Sequence, residues 1–256
     1  MSQDSVREAK PAAASHAALP WWRRVEGLPI IVVFAALIAL FMALSPEVFL
    51  GWPIYLSFLT TVPPMLILAL GLTLIIAAGE IDLSFPSVVA FSGFLFAWFT
   101  RTYDLPWVGA VAALLGGALV GWLNGVLVAW LGIPSIIATI GTQFFWAGIA
   151  TVLSGGLSYS LRTVDGTAIY AIFAGEVGGV LPMQALWAML LAVAIWFVLN
   201  RHRFGEHLLF IGDNAEVARV VGINVGREKM KAFVLMGVIG AISAVLLTLE
   251  NKNFFS

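Results

Sequence analysis

Few side chains in this sequence could do chemistry, and most of those are uncharged. Two carboxylates, Glu80 and Asp82, stand at a Gly-containing break between long apolar stretches. An ionisable residue at membrane depth is costly, so it marks a relay or an ion site, although a loop wetted by lipid headgroups accounts for this pair as well. The histidines, His16, His202 and His207, show no metal-ligand spacing such as H-E-x-x-H, and no G-x-S-x-G occurs. No catalytic residue, metal ligand or cofactor is therefore expected. A phosphate-binding loop needs Gly-Lys-Ser/Thr. Lys10 precedes Pro11, Lys229 precedes Met230, Lys231 precedes Ala232 and Lys252 precedes Asn253, so this chain is not expected to hydrolyse ATP.

The polar residues inside the apolar stretches are Thr73, Asn124, Thr139, Thr142 and Gln143. Hydrogen bonding between helices is their default use. A set of hydroxyls and amides without fixed charge also suits a neutral polyhydroxylated solute, because a charged one would meet an opposing charge. The polar loop 201–231 contains a candidate short helix after Ile211-Gly212. Asp213 is expected to cap its first turn, with Glu216 three residues on, and Gly222 to supply the left-handed stop. Such a helix is either a connector or a docking element for a partner that supplies ATP hydrolysis.

These groups must be positioned by membrane helices. Of 256 residues, 61% are hydrophobic and only 11% are charged, which excludes a water-soluble globule. A spanning helix needs about 20 apolar residues. Charge-free stretches accommodate spans at 27–45, 54–78, 85–100, 107–131, 135–153, 183–200 and 232–249. The expected fold is thus an all-α polytopic membrane helical bundle of about seven spans, some of them broken or kinked, with Pro63 and Pro64 bending the second. Gly109, Ala113, Gly117, Gly121 and Gly125 repeat every four residues, which makes either a packing seam within the bundle or a dimer face.

Residues 1–26 read as a disordered tail ending in an interfacial collar of Trp21, Trp22, Arg23 and Arg24, and 27–256 as the membrane domain. Six of the thirteen basic residues lie in 201–231. The positive-inside rule then makes that loop and the N-terminus cytoplasmic, with an even number of spans between them. The net charge of −1 gives no basis for nucleic-acid binding, and the absence of cysteine excludes disulfides and thiolate sites. The abrupt stop after the seventh span leads us to expect a chain truncated at its C-terminus.

Several strings resemble the permease subunits of ATP-binding cassette importers for simple sugars, the ribose-type group. They are Gly71-Leu72-Thr73 leading into Gly79-Glu80-Ile81-Asp82-Leu83-Ser84, then Leu123-Asn124-Gly125, then Gly132-Ile133-Pro134-Ser135 through Thr139 to Thr142, and finally Ile211-Gly212-Asp213-Asn214 with Ala218-Arg219 and Gly222-Ile223. The resemblance implies a permease in the cell inner (plasma) membrane that moves a neutral monosaccharide-like solute. Its implied partners are an ATPase subunit, an extracytoplasmic sugar-binding protein, a second permease copy in a homodimer or heterodimer, and membrane lipid. It further implies that Asn214, Ala218, Arg219, Gly222 and Ile223 form the ATPase-coupling helix, and that Asp82, Ser84, Asn124, Thr139 and Thr142 line or gate the pathway. The rival expectation is an ion-coupled secondary transporter of a small polar solute, with a membrane scaffold third.

Overall fold

The computed structural model describes residues 27–254, so the expected tail and its Trp/Arg collar lie outside the described residues. Apolar runs become helices because only a helix satisfies its own backbone N–H and C=O groups in lipid. In chain order these are α1 (Leu28–Leu44), α2 (Pro46–Phe49), α3 (Trp52–Ala77), α4 (Phe85–Tyr103), α5 (Pro106–Gly125), α6 (Ser135–Ser154), α7 (Ala168–Phe173), α8 (Met183–Arg201), α9 (Arg203–Asp213), α10 (Ala215–Val220) and α11 (Val225–Asn251). A π-helical segment, Val126–Trp130, continues α5.

Each expected span coincides with a helix. Five are long and apolar enough to cross a membrane: α3, α5 with its π continuation, α6, α8 and α11. The apolar α1 has 17 residues, and α4 carries Ser87, Ser92, Thr100 and Arg101 among its 19. One boundary is corrected. The last helix starts at Val225 rather than 232, so Arg227, Glu228, Lys229 and Lys231 belong to its first turns and not to a loop.

The chain divides into two compact units between Ile54 and Tyr55. In the first, Ser45 separates α1 from α2, and Phe41 stacks on Phe49 with ring centroids 5.2 Å apart. In the second, α11 is the most deeply buried of the crossing helices and packs chiefly on α5. Pro63 and Pro64 lie inside α3, and the Ser243 hydroxyl on α11 donates to the Pro64 carbonyl at 2.7 Å. At one end of this unit β1 (Tyr159–Ser160) pairs antiparallel with β4 (Asn253–Phe254), Lys252 pairs with Asp165, and Arg101 lies over the Tyr159 ring. A second small ladder joins β2 (Glu176–Val177) to β3 (Leu181–Pro182).

The contact between α5 and α11 explains the four-residue stripe. A Cβ added to Gly117 would lie 2.3 Å from the Gly237 carbonyl oxygen, and one added to Gly121 would lie 2.2 Å from that of Phe233. Backbone therefore meets backbone, which only glycine permits. All five stripe residues are buried within this chain, so the stripe is an internal seam and not a dimer face. Gly117→Val is expected to destabilise the bundle by about 2 kcal/mol or more through overpacking, or to prevent folding. Gly141→Ala on α6, where nothing lies within 4 Å, is expected to be neutral. Thermal unfolding of the purified protein in detergent separates the two outcomes.

Candidate functional site

The break after α3 is built by local sequence. Gly79 takes φ +74°, the Gly79 N–H bonds to the Ile76 carbonyl and the Glu80 N–H to that of Ile75, a Schellman stop. The chain then runs without helix to Phe85, where α4 begins. Two N–H groups in this stretch find side-chain acceptors on α6: Ile81 donates to Ser135 Oγ at 3.2 Å, and Leu83 to Thr139 Oγ1 at 3.1 Å.

The rest of the break is tied by a directional chain of hydrogen bonds. Thr142 Oγ1 donates to Asn124 Oδ1, Asn124 Nδ2 donates to Ser84 Oγ, and Ser84 Oγ donates to Asp82 Oδ1, each at 2.6 Å. The Ser84 N–H reaches the same carboxylate oxygen at 2.7 Å, and Thr139 Oγ1 donates to the Ser135 carbonyl at 2.7 Å. Asp82, Ser84, Asn124, Ser135, Thr139 and Thr142 are all buried. Asp82 receives no cation among the described residues. It lies in the connector outside the spanning helices, where burial pushes its carboxyl up from the ordinary value and the two Ser84 hydrogen bonds oppose that rise.

A different set of contacts holds the opposite side of the break. A Cβ on Gly212 would lie 2.3 Å from the Ala77 carbonyl oxygen, so the end of α9 packs directly on the end of α3. Glu80 pairs with Lys229 on α11, and both side chains are largely buried. Glu228 accepts two bonds from Lys231 at 2.9 and 3.0 Å and stands 3.7 Å from His207 on α9.

The short helix α10 forms as expected, with one correction. Asp213 ends α9, and the cap is Asn214, whose Oδ1 accepts from the Glu216 and Val217 N–H groups at 3.0 and 3.1 Å. Asn214 is better placed because its extended backbone, φ −158° and ψ 103°, turns the side chain back over the first turn. Gly222 closes the helix at φ +90°, donating to the Arg219 carbonyl, while the Ile223 N–H reaches that of Ala218. Ala218 is buried against Ile211 and Val225. Four of the five residues named for coupling therefore shape and seat the helix, and Arg219 is left on its open face, paired with Glu216. Val217, Val220 and Val221, not singled out from sequence, share that surface, with Val220 87% exposed.

The five residues named for the pathway all meet in the buried network. Thr73 does not join it. It is exposed, and its hydroxyl bonds to the Leu70 carbonyl. Gln143 makes none of these bonds. Ser135, Lys229 and Gly212 were missed as site residues. The signal for Ser135 was its spacing with Thr139 and Thr142, which puts three hydroxyls on one helical face, whereas Lys229 carried no local signal.

A bundle with a buried hydrogen-bonded centre of hydroxyls, an amide and one carboxylate at a helix break, and a short capped helix at one end, has the makings of a membrane transport component. The chain belongs to the family described as "Branched-chain amino acid transport system / permease component", which matches residues 54–255. It is similar to the autoinducer 2 import system permease protein LsrD of Yersinia pestis (strain Pestoides F), 31% identical over 184 residues that cover 71% of this chain and 55% of that protein. It is also similar to the D-allose transport system permease protein AlsC of Escherichia coli (strain K12), 30% identical over 220 residues that cover 84% of this chain and 65% of that protein. The match thus spans less than two thirds of the length of these curated relatives. No solved structure matches the chain.

Asn124→Leu is expected to lower stability by about 1–3 kcal/mol, because it removes two buried hydrogen bonds, the one Asn124 accepts from Thr142 and the one it donates to Ser84. Combined with Thr142→Val it should show a coupling energy of at least about 0.5 kcal/mol in a double-mutant cycle read by unfolding in detergent. Additive costs would contradict the direct link.

Proposed function

We propose that this chain is the membrane-spanning permease subunit of an ATP-binding cassette importer and carries a neutral monosaccharide-like solute across the inner membrane. In this reading α9, α10 and the N-terminus are cytoplasmic, residues 1–26 are a tail and 27–256 the permease domain. ATP is hydrolysed by a separate subunit. An extracytoplasmic sugar-binding protein delivers the solute, and a second permease copy completes the pathway. Asp82, Ser84, Asn124, Thr139 and Thr142 shape or gate that pathway.

The observation that carries the reading is α10. Six residues cannot form a stable helix alone, yet this helix is capped at both ends, seated by Ala218, and turns Val217, Arg219 and Val220 outward. An exposed apolar tip beside an ion pair is the composition of a docking surface. The composition of the centre supports the cargo class. A free amino acid would bring two charges into the bundle, whereas the network offers hydroxyls, an amide and one carboxylate already bonded to Ser84. The names of relatives that import D-allose and autoinducer 2 support the same class.

Val220→Asp and Arg219→Glu are expected to weaken co-purification of the ATPase by at least about tenfold, with ATP-driven uptake lost and the melting temperature unchanged. Undiminished association would contradict the assignment.

A second reading, an ion-coupled transporter, is favoured by the buried Asp82 carboxylate, which has no cation partner among the described residues. Asp82→Asn keeps the acceptor oxygen for Ser84 and removes the titration. Under the importer reading ATP-driven uptake survives this change. Loss of uptake together with its pH dependence would favour ion coupling.

A further inference from the structure

We propose that Glu80 and Lys229 are positioning residues for transport, and that they hand displacement of α10 directly to the Gly79–Ser84 break rather than through the length of the spanning helices. This rests on the reading of α10 as the ATPase-docking helix.

Three observations carry it. First, α9, α10 and the start of α11 are packed as one piece: Asn214 is the only residue between α9 and α10 and bonds to both, and Ala218 is packed between Ile211 and Val225. Second, that piece touches the break at two points, the backbone contact of Gly212 with Ala77 and Gly79 and the largely buried Glu80–Lys229 pair. Third, two residues beyond Glu80 lies Asp82, the end of the hydrogen-bond chain through Ser84 and Asn124 to Thr142.

The materials on the two sides of the break differ. Towards α5 and α6 it is held by short, neutral, directional bonds, which have few alternative arrangements. Towards α9 and α11 it is held, among the described residues, by the ion pair between flexible side chains and by the van der Waals contact of Gly212 with Ala77 and Gly79. Displacing the α9–α11 piece therefore pulls or releases Glu80 and transmits to Asp82 across a stretch of chain with no helical hydrogen bonds to resist it. A break held rigidly on one side and by a flexible ion pair on the other is suited to carry a displacement between two elements.

The test uses the protein reconstituted with its ATPase and binding protein. Glu80→Gln and Lys229→Met are each expected to leave ATPase association intact while lowering solute moved per ATP hydrolysed by about tenfold, within the usual range of coupling between sites. The exchanged pair, Glu80→Lys with Lys229→Glu, is expected to recover most of that loss. Unchanged transport per ATP in both single variants would overturn the proposal. Because these variants could fold poorly, amide hydrogen exchange on the wild-type chain provides a second reading. ATP is expected to alter protection at residues 79–84 together with 209–223. A change at 209–223 with none at 79–84 would overturn this inference alone. The absence of any ATPase-dependent change at 215–220 would overturn the importer reading with it.

Discussion

A break between membrane-spanning helices leaves backbone N–H groups without helical partners, and much of this fold follows from satisfying them. Ile81 and Leu83 lie beyond the Schellman stop of α3 and have no helical carbonyl to bond. Their acceptors are hydroxyls of α6, so Ser135 and Thr139 fix the register of α6 together with the apolar packing of Ala138, Trp146 and Ala150. Asn124 must then reach Ser84 from α5. It does so on a helix whose glycines let it lie against α11 backbone to backbone, and the internal seam and the polar centre are parts of one solution.

The same constraint shapes the functional account. A centre of hydroxyls, an amide and one carboxylate bonded to Ser84 is the basis on which a sugar-like solute is proposed, since among the described residues it holds no pair of opposite charges for a zwitterion. The α9–α11 end is where charge gathers, with Glu80–Lys229 and Glu228–Lys231 fixing its geometry and α10 exposed beside them.

Much of this was legible in the sequence. Charge-free length located the helices, the four-residue glycine stripe located the seam, and hydroxyls and amides in apolar runs supplied the members of the network. What escaped has a physical reason in each case. Lys229 lies 149 residues from Glu80, and a single ion pair leaves no periodic trace. Gly212 matters for what approaches it, the end of α3, which spacing within its own segment cannot reveal. Asp213 and Asn214 are equally good capping residues by type, and only the extended backbone at Asn214 decides between them. Thr73 shows the converse, a polar residue in an apolar run that bonds to its own helix and faces outward.

The most direct measurement of the central claim is what drives uptake. The full-length protein, reconstituted in liposomes with its ATPase and binding protein, would be given labelled neutral monosaccharides and either ATP or an imposed proton or sodium gradient. The account predicts accumulation with ATP, none with the gradient alone, and none when the ATPase is omitted. Gradient-driven accumulation by the permease without an ATPase would contradict it.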